Sequence, residues 1–253
     1  LLLIVLGFFG LSSPLLAKYT PEMMTLIPGG EAIASIIPVP SLVDAITQYV
    51  KNIGQFGILL ALLLSMGLVS REKERGTAAL LLTKPLPRRS FLWAKFIALG
   101  LGFGLALLVA SLGGYYYTRL LFGSVALGGW LLLSGALFIQ VLLVSAVTLL
   151  FSTLLRSQAA AAGLALGLTL LVSLLESIPG LAPYLPNRLV AWAANNLLGG
   201  PPLAAWPALA ICLALFRPGI RTAIRIAMMA MTTSSSIRVN APRRPPCDPS
   251  NPR

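Results

Sequence analysis

The sequence predicts an all-α fold, a polytopic membrane bundle of about six transmembrane helices, and three observations carry that prediction. Of the 253 residues, 57% are hydrophobic and only 10% are charged, where a soluble domain carries roughly a quarter charged. The apolar residues fall in long runs, and a helix needs about 20 of them to cross the hydrocarbon core. Those runs are too long and too uniformly apolar for the strands of a barrel.

The spans follow in order. Residues 1–17 are the first, and the chain opens on Leu1 inside an apolar run, so a missing N-terminal segment is expected. The stretch "SPLLAKYT" faintly resembles a signal-peptide cleavage region but lacks a basic segment before it. Residues 18–52 are polar enough for solvation and apolar enough for short interfacial helices. Spans are expected at 53–69, 91–116, 125–155 and 158–175, the fourth long enough to tilt or to extend past the bilayer. Residues 177–202 are rich in Pro and Gly yet still apolar, which fits short or re-entrant helices against the bundle, or an ordered loop. A short sixth span, 203–216, contains Pro207. The remainder, 217–253, is a basic tail whose end is expected to be disordered.

Charge sets the orientation. The segment 70–90 holds Arg71, Lys73, Arg75, Lys84, Arg88 and Arg89, with Lys95 just beyond it. The alternate segments carry only Lys18, Lys51, Arg119 and Arg188. An excess of Lys and Arg marks cytoplasmic loops, so 70–90 and both termini are expected inside, in a bacterial-type inner membrane. Tyr115, Tyr116 and Tyr117 fit an aromatic belt at the opposite interface.

The same inventory excludes several functions. The net charge of +12 sits at the ends of apolar runs, without the aromatic-interleaved basic face of a nucleic-acid module. With no His and two Cys, no disulfide framework or metal spacing can be read, so no metal is expected. No G-x-x-x-x-G-K-[ST] occurs, so the chain has no P-loop of its own. Span interiors lack the carboxylates that proton relays or intramembrane hydrolysis need, and no catalytic residue is expected. Ser134, Gln140, Ser145 and Thr148 are polar residues of the fourth span. They could line a translocation path or hydrogen-bond helix to helix. Gly100 with Gly104, and Gly163 with Gly167, are small-residue pairs that permit close helix packing.

The segment 70–90 is longer than a turn requires. Residues 71–75 alternate basic and acidic, Gly76 breaks the helix, and Thr77 can cap a short helix through Leu80, Leu81 and Leu82. Lys84 and Pro85 stop it, and Ser90 can cap the third span. From composition alone this amphipathic helix is either a lipid-headgroup anchor or a docking element for a soluble partner.

The run "SREKERGTAALLLTKPLPRRSFLWAKF" resembles the loop between the second and third spans of ABC-2 type permeases, the membrane subunits of ATP-binding cassette transporters. The matching residues are Glu74, Arg75, Gly76 and Thr77, then Leu80 to Leu82, Pro85, Arg88, Arg89 and Lys95. "SPLLAKYTPE" is similar to the end of the first span in bacterial members. The resemblance covers about residues 1–216; the tail after Phe216 does not share it. It implies a coupling helix seated in an ATPase subunit, ATP and Mg used by that separate subunit with no cofactor bound here, and a second permease copy or sister permease. Export is the direction it implies. The rivals are an ATP-independent carrier or channel, and a non-transporting membrane assembly factor.

Overall fold

The computed structural model describes residues 1–26, 39–74, 88–155, 157–178, 180–200, 207–210 and 212, with 69–74 and 88–93 described as helix backbone. Among the described residues every regular element is a helix. The elements are α1 (Leu2–Thr25), α2 (Leu42–Glu74), α3 (Arg88–Phe122), α4 (Leu127–Leu154), α5 (Gln158–Leu175), a 3-10 turn at Ala182–Tyr184 and α6 (Asn187–Leu197). Five helices are long and apolar enough to cross a membrane.

Helix boundaries differ from the expected ones where local partners sustain the helix. α1 runs past residue 17 to Thr25, through Pro14 and Pro21. Each Pro removes one backbone donor, a loss that membrane helices tolerate when neighbouring groups compensate. The carbonyls left without an N–H are those of Gly10 and Ala17, four residues back; the hydroxyls just before each Pro bond instead to the preceding carbonyls, Ser13 Oγ to Phe9 and Thr20 Oγ1 to Leu16.

α2 begins at Leu42 instead of residue 53, so much of the expected loop 18–52 is helix at both ends. A capping box starts it. The Ser41 backbone N–H donates to the Asp44 carboxylate at 2.9 Å, and the Asp44 N–H donates to Ser41 Oγ at 3.4 Å. The polar residues that suggested a loop are accommodated by pairing. Asn52 Nδ2 donates to Ser13 Oγ at 3.0 Å, and Gln48 Nε2 to Asn52 Oδ1 at 3.2 Å.

α3 begins at Arg88, so Ser90 lies in its first turn and does not cap it. It ends past residue 116, at Phe122, where Gly123 takes φ +95° and returns its N–H to the Arg119 carbonyl. That left-handed cap suits glycine. α4 is bounded by Leu127 and Leu154, and α5 occupies 158–175 with Ser157 Oγ accepting the Ala160 N–H. The segment 177–202 holds the 3-10 turn and α6, whose Leu189, Val190 and Ala193 are buried. Of the expected span 203–216, only 207–210 and 212 are described; Ala208 and Cys212 pack with Leu143 and Leu189. The tail lies outside the described residues.

Residue pairings fix the register. α1 crosses α3 so closely that a Cβ on Gly10 would fall 2.6 Å from the Ala110 carbonyl oxygen and 2.7 Å from its Cα. α1 lies along α2 through Phe9 and Phe56, stacked at 3.7 Å and 14°. α4 is the most enclosed span. It meets α2 where a Cβ on Gly57 would touch Val141, and α3 where Gly104 faces Phe138 and Gly100 faces Leu142. α6 runs along the N-terminal half of α4, Leu197 beside Gly129 and Asn187 beside Gln140. Buried side chains of all six helices, among them Leu6, Tyr49, Phe103, Trp130, Ala165 and Val190, form one core.

Candidate functional site

Two regions carry polar chemistry: the stem of the charged segment 70–90, and the contacts around α4. At the stem, α2 continues to Glu74 and α3 opens with Arg88 and Arg89. Arg75, Gly76, Thr77, Leu80, Leu81, Leu82 and Pro85 lie outside the described residues. Below that segment the helices are tied by side-chain donors. Lys95 Nζ on α3 donates to the Leu68 carbonyl on α2, and Ser152 Oγ on α4 donates to the Met66 carbonyl at 2.8 Å.

The four polar residues of the fourth span divide into two pairs. Ser145 and Thr148 are buried and return their hydroxyl protons to their own helix, at Val141 and Val144, both at 2.8 Å. Ser134 and Gln140 reach other elements. Ser134 Oγ and Ser111 Oγ lie 2.7 Å apart, joining α4 to α3. Trp130 Nε1 donates to Ser111 Oγ at 3.0 Å and to the Ser111 carbonyl at 3.1 Å. Tyr49 of α2 packs its ring 4.8 Å from Trp130. Its buried hydroxyl sits beside Ser111 and Ser134 without a hydrogen bond of good geometry to either. This knot joins three spans. The sequence marked Ser134 as polar, but nothing in it pairs that residue with Tyr49, Ser111 or Trp130.

Gln140 Nε2 donates to Asn187 Oδ1 of α6. Asn187 in turn lies beside the carboxylate of Glu176, just past the end of α5. Burial pushes the Glu176 carboxyl above its ordinary range, against the opposing effect of the nearby Asn187 donors. Its Oε1 and the Nε of Arg188 are enclosed without hydrogen-bond partners. Glu176 follows the last residue of α5 directly; its link to Gln140, through Asn187, depends on α6 folding back along α4.

The two glycine pairs also separate. Gly100 and Gly104 face α4, whereas a Cβ on Gly163 or Gly167 would meet nothing within 4 Å. Among the described residues no group of three His, Cys, Asp or Glu could hold a metal ion.

Five long apolar helices around one core, with their polar side chains turned to one another, define a polytopic membrane protein. The family described as ABC-2 family transporter protein matches residues 25–191, and the chain belongs to that family. It is similar to the uncharacterized transmembrane protein YxlG of Bacillus subtilis (strain 168), 30% identical over 202 residues. That match covers 78% of this chain and 77% of the relative.

Proposed function

We propose that this chain is the permease subunit of an ABC exporter in a bacterial-type inner membrane. It would pair with a second copy or a sister permease, and ATP would be hydrolysed with Mg by a separate ATPase subunit docked on residues 70–90. The carrying observation is the charged segment itself, strung between the ends of two long helices that are tied together at its base. Family membership supports the reading, since an ABC-2 membrane protein works in general with an ABC ATPase. The Lys and Arg distribution supports a cytoplasmic position for this segment and for both termini.

The mechanism in this reading is alternating access. Closure of an ATPase dimer moves Thr77 to Thr83, and α2 and α3 carry that motion to a path between permease halves. The chain supplies rigid helices and no reacting groups. The test is co-purification with a candidate ATPase subunit, together with ATPase activity, for the unaltered chain and for Glu74→Ala and Leu81→Asp. Both changes are expected to weaken the complex while the bundle stays inserted. Complex and activity untouched by either change would overturn docking, and leave the segment a lipid anchor on a carrier or an assembly factor.

A further inference from the structure

We propose that Lys95 and Ser152 are positioning residues that form a yoke, clasping α2 between α3 and α4 so that movement of the 70–90 segment shifts three helices together. The inference rests on the permease reading above and adds to it the route by which force leaves the loop.

The geometry has three parts. Met66 and Leu68 are two residues apart on α2, so their carbonyls lie about 200° apart around its axis. Ser152 on α4 takes the first and Lys95 on α3 takes the second, so α2 is held from opposite flanks. Both carbonyls belong to an unbroken helix, so each side-chain bond is added to the helix's own ladder, and α2 is gripped without being bent open.

The position along the helices is the second part. α2 extends from Leu68 to Glu74, about 9 Å beyond the grip, and α3 extends from Lys95 back to Arg88, about 10 Å. Two rigid arms of nearly equal length therefore reach from the clasp to the charged segment. A displacement at their tips turns about the clasp, and helices fixed at that level must move with it.

The third part is chemical. Lys95 is a flexible cation near the end of an apolar run, where a Lys normally carries its ammonium out to the interface. Here it donates to a backbone carbonyl of the neighbouring helix. Charge-assisted bonds of this kind are about twice as strong as neutral ones, which suits a joint that bears load. Ser152 could return its proton to its own helix, as Ser145 and Thr148 do; its bond to Met66 crosses to α2 instead.

The experiment uses the full chain in complex with its ATPase subunit, with Cys212→Ala and Cys247→Ala. Spin labels sit at Met23→Cys and Leu127→Cys, exposed positions at the far ends of α1 and α4. The label-to-label distance is measured before and after trapping with ATP and vanadate. With the yoke intact the distance is expected to shift on trapping. In Lys95→Met with Ser152→Ala the ATPase should still co-purify and the shift should be lost. Lys95→Arg, which keeps a cationic donor, should retain it. A full shift in the double variant overturns the yoke and leaves the permease reading standing. Failure of the unaltered chain to bind the ATPase overturns that reading, and the yoke with it. Should the double variant fail to accumulate in membranes, Lys95→Met is compared with Lys95→Arg. Loss in the first and retention in the second supports the yoke, and equal shifts overturn it.

Discussion

Gly10 and Gly163 look alike in sequence, each set among apolar residues of a span, yet the structure separates them by the space a methyl group would find. At Gly10 a Cβ would collide with backbone atoms of Ala110, which cannot swing aside. Gly10→Leu is therefore expected to cost about 1–3 kcal/mol through overpacking, seen as a lower melting temperature in detergent. At Gly163 a Cβ would meet nothing within 4 Å, so Gly163→Ala is expected to be neutral or mildly stabilising, by about 0.5–1 kcal/mol. Glu176 makes a different prediction. Burial raises its carboxyl pKa above the ordinary 4.5, so the folded state binds this proton more tightly than the unfolded one. Its contribution to stability is full below the ordinary pKa and is lost as pH rises through the raised value. Thermal unfolding from pH 4 upward should show that decline, and Glu176→Gln should flatten it. An unchanged pH profile in the variant would remove Glu176 as its source.

At the scale of elements, what the sequence made legible was apolar length, and what it hid was the partners of polar residues. α5 could be read at 158–175 because it is uniformly apolar between Ser157 and Glu176. α2 was misjudged because Asp44, Gln48, Lys51 and Asn52 suggest water. Asp44 belongs to a cap, while Gln48 and Asn52 bond to each other and to α1. The capping box was written in the sequence as Ser41-Leu-Val-Asp44, a signal available without any structure. The Asn52 to Ser13 bond was not, since it joins residues 39 positions apart. Likewise Gln140 and Ser134 could be marked as polar, but only packing decides whom they touch. Ser41→Ala is expected to cost about 1 kcal/mol and to speed amide exchange in the first turn of α2. Exchange unchanged there would show that burial of Ala45, Ile46 and Tyr49 holds the turn without its cap.

For the whole molecule, the proposed orientation predicts opposite labelling of two exposed turns. Ser124→Cys, between α3 and α4, should react with an impermeant thiol reagent from outside intact cells. Ser157→Cys, between α4 and α5, should react only after the membrane is opened. The reverse pattern would place residues 70–90 outside and remove them as an ATPase dock. The unequal lengths of the helices carry a further consequence. α5, with 18 residues, is about 27 Å long, and α4, with 28 residues, about 42 Å, against a hydrocarbon core of about 30 Å. Where lipid covers α5 it would meet a slightly short wall, with taller ones elsewhere, and such a mismatch is met by thinning of the bilayer or by snorkelling of flanking residues. Acyl-chain length then acts in opposite senses on α5 and on the longer helices. Reconstitution into progressively thicker bilayers should strain α5 first, and transport should fall there before the rest of the bundle is disturbed.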